Sequence, residues 1–136
     1  MPDQQGGKPL SITPRYRHDP VYAVLERLCT EAGIRIVYKS IPDDSISGEI
    51  WARTDSQGQS IEMPDQDCFD CDEMASLILG HEMAHIITGL DTVDYLPERV
   101  RNEAVCDLLG SHLYSLAEMI AGAEVEAEVK KAFEEV

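Results

Sequence analysis

The spacing of apolar residues predicts a helix near the start of the chain. Over residues 19–33 the apolar positions recur every three or four residues, as on one face of a helix: Val21, Val24, Leu25 and Leu28. Asp19 is a suitable cap and Pro20 suits the first helical position, while Gly33 is a typical residue after a helix end. The segment before it, residues 1–18, lacks periodicity, and we expect a flexible N-terminal arm there.

The next segments alternate in the manner of strands. The run "IRIVYKS" is rich in β-branched residues, and two further short runs, "GEIWART" and "QSIEMP", flank the turn signal "DSQG". We therefore predict a short three-stranded sheet containing one hairpin.

Helical periodicity returns in the second half of the chain. A helix is predicted over residues 70–88, ended by Gly89, and another begins at Pro97 and runs to about Ala121. Gly122 is expected to break it, so that residues 122–136 form a separate acidic helix. Strands and helices are segregated along the chain, which indicates an α+β fold with its main domain over residues 19–121.

Charge and composition exclude some functions. The chain of 136 residues carries a net charge of −15, which disfavours direct binding to nucleic acid because the phosphate backbone would repel it. No apolar run reaches the roughly 18 residues of a membrane span, and residues 1–20 lack the apolar core of a secretory signal. These features predict a cytoplasmic protein that does not enter a membrane.

The four cysteines, Cys29, Cys68, Cys71 and Cys106, are expected to be reduced thiols in that compartment. Cys68 and Cys71 form a C-x-x-C pair, which leaves a redox or structural-zinc role open. A structural zinc site would need a second ligand pair, and no second C-x-x-C exists in the chain.

The stretch "GHEMAHIITG" at residues 80–89 contains the strongest chemical motif. His81 and His85 are four residues apart, so on a helix both imidazoles lie on one face and can bind one ion. Glu82 is turned one step away and can reach a water without binding the metal, as in the H-E-x-x-H motif. The alternative is a pair of histidines satisfied in a polar pocket between helices.

A third ligand is available in the next helix, within "RNEAVCDLLG". Glu103 and Asp107 are four residues apart and share a face with Gly110. Glu103 can complete a three-residue zinc site, Asp107 can hydrogen-bond a ligand histidine, and Gly110 would allow the helices to approach closely. The alternative for the two carboxylates is a solvated acidic surface.

The pair "HEMAH" and "NEAVCD" resembles the gluzincin metallopeptidases, of which thermolysin is the familiar example. Within that clan the chain resembles the ImmA/IrrE family more closely. The features that carry this resemblance are the short chain, the hairpin before the first motif and the segment from Glu103 to Gly110. The resemblance covers about residues 18–118 and implies a small zincin-like domain with one Zn²⁺. It implies that His81, His85 and Glu103 bind the zinc and that Glu82 is the catalytic base. It also implies that Asp107 contacts one of the zinc ligands without binding the metal.

The resemblance further implies an endopeptidase whose protein substrate is typically a helix-turn-helix repressor of a mobile element or stress circuit. The chain departs from the family at "IITG", where another histidine is common, at Leu109, where an aromatic is usual, and in lacking a Leu-Met-Pro ending. An oxyanion stabiliser is expected, and four residues are candidates by position: Tyr95, Arg101, His112 and Tyr114.

The binding edge for a substrate and the class of function both stay open from the sequence. In this clan a substrate strand pairs with a sheet edge, and we expect "QSIEMP" to be that edge because it leads towards the site. A different class of function is also compatible with the sequence: a non-catalytic or latent metal-binding interaction module, such as an antitoxin or immunity factor, built on the same fold.

Overall fold

The computed structural model describes residues 13–40, 52–55, 57, 59–91 and 93–135 of the chain. These residues form an α+β domain with three helices and a three-stranded mixed sheet. The helices are α1 (Pro20–Glu31), α2 (Asp72–Thr88) and α3 (Leu96–Glu134), and the strands are β1 (Arg35–Lys39), β2 (Arg53–Asp55) and β3 (Ser60–Pro64). The α+β class predicted from the sequence is confirmed.

Local signals set the start of α1 and the end of α2 where the sequence predicted them. The Asp19 carboxylate accepts hydrogen bonds from the backbone N–H groups of Val21 and Tyr22, and Pro20 occupies the first helical position of α1. Helix α2 ends at Gly89, whose φ of 73° lies in the left-handed region that glycine enters without strain.

The sheet has the strand order β1-β3-β2. Strand β1 runs parallel to β3, with Arg35 opposite Ser60, and β2 runs antiparallel to β3, with Thr54 opposite Ile61. The prediction that "QSIEMP" forms a sheet edge is therefore wrong, because β3 is central and pairs on both sides. The described edges are β1 and β2, and residues 48–51 of the predicted hairpin lie outside the described part.

The hydrophobic core lies between the sheet and the three helices, with Ala117 and Ala121 contributed by α3. Its largest fully buried side chains come from every layer: Tyr16, Tyr22, Leu25, Ile61, Met63 and Leu79. Tyr16 lies in a short 3-10 helix, Arg15–His18, and its hydroxyl donates a hydrogen bond to the carbonyl of Pro64 in β3. The predicted flexible arm is thus wrong for residues 13–18, since an aromatic anchor packs them onto the core; residues 1–12 lie outside the described part.

The predicted break at Gly122 is also wrong. Helix α3 continues without interruption from Leu96 to Glu134, so residues 122–134 belong to the same helix as Glu103. Among the described residues, no atom outside the backbone of α3 itself would lie within 4 Å of a β-carbon added at Gly122. The cost of glycine in a helix interior, about 1 kcal/mol, is too small to end a helix of this length by itself.

Among the described residues, none of the helices combines the length and the apolar content that a bilayer crossing requires.

Candidate metal centre

Two glycines bring α2 and α3 together at the candidate site. A β-carbon added at Gly80 would lie 2.8 Å from the carbonyl oxygen of Gly110, and one added at Gly110 would lie 2.8 Å from the backbone nitrogen of His81. Real β-carbons do not approach backbone atoms this closely, so only glycine permits the crossing at both positions. The contact places the preceding turns of α3 directly over the histidines of α2, as predicted for Gly110.

His81, His85 and Glu103 meet at this crossing. The Nε2 atoms of the two histidines are 3.2 Å apart. Glu103 Oε1 lies 3.0 Å from His81 Nε2, and Glu103 Oε2 lies 3.3 Å from His85 Nε2. In the described part of the chain, this is the one group of three or more His, Cys, Asp or Glu residues close enough to hold a metal ion.

A contact behind the ring of His85 turns its Nε2 atom towards the centre, and Asp107 lies behind the ring of His81. His85 Nδ1 lies 2.5 Å from the carbonyl oxygen of Leu90, which can only accept, so the proton is on Nδ1 and Nε2 carries a lone pair. Asp107 Oδ1 lies 2.7 Å from His81 Nδ1, although the carboxylate is out of line for a hydrogen bond. Asp107 thus lies beside His81, but the hydrogen bond predicted between them is not formed.

This arrangement of donors suits a cation. A neutral imidazole with its proton on Nδ1 is a lone-pair donor at Nε2, and the two Nε2 atoms and the Glu103 carboxylate lie close enough together to bind one metal ion. Two ligand atoms at tetrahedral positions about 2.0–2.1 Å from zinc are separated by about 3.3 Å. The observed separations of 3.0–3.3 Å are close to that value.

Glu82 is buried beside the ligands, with 7% of its surface exposed. Its Oε1 accepts a hydrogen bond of 2.5 Å from the hydroxyl of Thr54 in β2. Burial raises the pKa of the Glu82 carboxyl above its usual value, while the hydrogen bond from Thr54 and the nearby histidines oppose that rise. Glu82 is therefore held in place next to the ligand set without being part of it.

A cleft of about 1030 Å³ opens onto the ligands. One wall is formed by β2, through Arg53, Thr54 and Asp55, and the other by α2 and α3. Met74 and Leu77, two turns and one turn before His81, remain 39% and 40% exposed in this cleft. The apolar stripe that leads to the histidines thus lines an open surface.

The four predicted oxyanion stabilisers are not brought to the ligands. Tyr95, Arg101 and His112 are exposed on α3 or at its start, and the Tyr114 hydroxyl donates to Glu73 near the beginning of α2. None of the four lines the cleft as described.

The sequence interpretation missed two residues that build the site. Thr54 contacts Glu82, but it could not be recognised because the hairpin register was uncertain. Asn102 is buried and its side-chain amide donates to the carbonyl of Asp91, which ties the loop after α2 to α3. A polar residue directly before Glu103 was the available signal for that contact.

All four cysteines are free thiols in the structure. Cys68 lines the cleft, Cys71 is exposed, and burial raises the pKa of the Cys68 thiol. Cys106 is fully buried, with its Sγ 3.5 Å from His85 Nδ1. Within the described residues no cysteine joins a group of metal ligands.

Comparison of the chain with protein-family models, with curated proteins and with solved structures gave no match. Function is therefore inferred from the geometry of the site itself.

Proposed function

We propose that the protein is a zinc-dependent metallopeptidase that cleaves a protein substrate. The observation that supports this most strongly is the convergence of His81, His85 and Glu103 next to a buried Glu82 on the same helix. Three protein ligands leave a position for water, which distinguishes catalytic from closed structural zinc sites.

Each residue of the site has a definite role in this proposal. His81, His85 and Glu103 hold the zinc, which when bound supplies Lewis-acid activation of a water and of the scissile carbonyl. The Glu82 carboxylate accepts the proton from the attacking water and then delivers it to the leaving amine. The Leu90 carbonyl keeps the imidazole of His85 oriented with Nε2 inwards, and the Asp107 carboxylate lies beside Nδ1 of His81.

The cleft suits an extended peptide. Among the described residues, no strand pairs with the outer side of β2, and β2 forms the wall opposite α2. A substrate strand added to β2 would pass the ligands between Thr54 and the apolar side chains of α2. This replaces "QSIEMP" by β2 as the proposed binding edge.

The substrate class that we propose is a basic, DNA-binding repressor, in keeping with the resemblance to the ImmA/IrrE family. The net charge of −15 would favour encounter with a basic partner. The two motifs and the α+β architecture are compatible with a small zincin-like domain.

A non-catalytic metal-binding module would need the three ligands but not Glu82. The burial of Glu82 and its short contact with Thr54 favour the enzyme, since both position a group that only catalysis requires.

The test compares the zinc-loaded protein with Glu82→Gln and with the surface control Glu98→Gln. Each is incubated with proteome-derived peptides and with helix-turn-helix proteins encoded near its gene, and new termini are detected by mass spectrometry. We expect wild type and Glu98→Gln to cleave, and Glu82→Gln to keep zinc but lose activity by about 100-fold or more. Cleavage by Glu82→Gln at the wild-type rate, or by no variant at all, would contradict the proposal.

A further inference from the structure

Thr54 joins the sheet to the residue proposed as the catalytic base. It is the middle residue of β2, and its backbone is fixed opposite Ile61 by the antiparallel pairing with β3. Ile61 itself is fully buried in the core. The hydroxyl of Thr54 is therefore carried on a strand whose position is set by the sheet and the core beneath it.

The hydroxyl makes two contacts with the same glutamate. Its Oγ1 lies 2.5 Å from Oε1 of Glu82 and 3.2 Å from the backbone carbonyl oxygen of that residue. A distance of 2.5–2.7 Å is characteristic of a hydroxyl that donates to a carboxylate, which is one of the stronger hydrogen bonds in proteins. Contact with both ends of Glu82 restricts its side-chain torsions, which a lone carboxylate on a helix would otherwise sample.

We propose that Thr54 is a positioning residue for Glu82, which sets the place of the base relative to the cleft. The inference rests on the proposed function, because a base has to be positioned only if the site is catalytic. Its consequence is that one residue fixes both the wall along which the peptide would bind and the carboxylate that acts on the peptide. Misplacement of a catalytic group by about 1 Å can cost about 100-fold in rate.

The sheet alone does not require threonine at this position. Valine has the same shape and a comparable preference for strands, so it would preserve the pairing with Ile61 while removing the hydroxyl. Thr54→Val is therefore the decisive variant, and Thr54→Ser, which restores a hydroxyl, is its rescue. Thr30→Val is the matched control, since it removes an exposed hydroxyl that contacts the Glu26 carbonyl in α1.

The experiment measures zinc content, crystal structures of the zinc-loaded variants and, with a peptide that wild type cleaves, kcat and KM. We expect Thr54→Val to retain one zinc, to lose about 10- to 100-fold in kcat with KM changed by less than about threefold, and to show the Glu82 carboxylate displaced. Thr54→Ser and Thr30→Val should stay within about threefold of wild type in kcat.

The crystal structures separate this inference from the proposed function. If wild type cleaves no peptide, the peptidase proposal fails, and the position of Glu82 in Thr54→Val still decides whether the hydroxyl holds it. An unmoved Glu82 carboxylate, or an unchanged kcat in Thr54→Val, would overturn the role of Thr54. Equal losses in Thr54→Val and Thr54→Ser would overturn it as well, since the hydroxyl would then not be the cause.

Discussion

Helix α3 contains two glycines with opposite surroundings: Gly110 near the middle of the helix and Gly122 in its second half. At Gly110 an added β-carbon would lie 2.8 Å from the backbone of α2, whereas at Gly122 no described atom outside the backbone of α3 would lie within 4 Å of it. The first lets α3 approach α2 and bring Glu103 onto the histidines. The second lies where residues 122–134 are exposed throughout.

The difference shows that the role of a glycine in a helix depends on which segment packs against it. The sequence of the helix itself does not reveal that segment. Near Gly110 the helix supplies a ligand, a charge contact and a close crossing within a few turns. Beyond Gly122 it is exposed and carries both acidic and apolar side chains, and Glu124 forms an exposed ion pair with Arg27. The following predictions test that contrast.

The largest contrast is expected between two glutamates of this helix. Glu103→Ala removes a proposed ligand, so we expect zinc affinity to fall by more than about 100-fold. This exceeds the roughly 10- to 100-fold loss that is typical when a residue hydrogen-bonded to a ligand is replaced. Glu124→Ala, which removes an exposed ion pair, should leave zinc affinity within about twofold and the free energy of unfolding within about 1 kcal/mol. Competition titrations with a chelator measure both affinities, and equal affinities would contradict the assignment of Glu103.

Gly110→Ala should disturb both the fold and the site. Its β-carbon would press on the backbone of His81, and overpacking of this kind costs about 1–3 kcal/mol, more than the helix propensity of alanine returns. We expect a lower free energy of unfolding in urea and weaker zinc binding, because α3 must move away from α2. An unchanged zinc affinity would show that the crossing does not set the ligand geometry.

Asp107→Asn should have a smaller, site-specific effect. It removes the charge 2.7 Å from His81 Nδ1 but leaves all three ligands and a side chain of the same shape. We expect zinc affinity to fall by about tenfold with little change in stability, since Asp107 is exposed. Chelator competition measures the zinc affinity of Asp107→Asn and of the control Glu118→Gln, which lies further along α3. An equal loss of zinc affinity in both variants would indicate a general charge effect and contradict a specific role of Asp107.

The smallest effect is expected at the second glycine. Gly122→Ala places a β-carbon in open space within a continuous helix, so it should raise the free energy of unfolding by about 0.5–1 kcal/mol and leave zinc affinity unchanged. Urea unfolding followed by circular dichroism measures this, and a loss of stability would indicate a contact of α3 at this point.

Sequence signals predicted those features that depend on neighbouring residues. The cap at Asp19, the stop at Gly89 and the common face of His81 and His85 each follow from a few consecutive positions. Glu103 could also be predicted, because its helix follows the histidine helix closely and such a site needs a third ligand.

The features that were missed depend on packing between distant segments. The central place of β3 follows from its parallel pairing with β1, which no local pattern encodes. Tyr16 is held by contacts with the core far along the chain, and the contact of Thr54 with Glu82 requires the sheet to be placed against α2. Helix α3 continues through Gly122, where no other described segment contacts it closely.

The central claim, a zinc ion held by two imidazoles and a carboxylate, is tested most directly by X-ray absorption spectroscopy of the purified protein loaded with one equivalent of zinc. We predict only nitrogen and oxygen neighbours at about 2.0–2.2 Å, with the multiple scattering of two histidine rings, and loss of one oxygen neighbour in Glu103→Ala. Sulfur neighbours at about 2.3 Å, which would place the ion at the cysteines, or failure to bind one zinc per chain, would contradict the account.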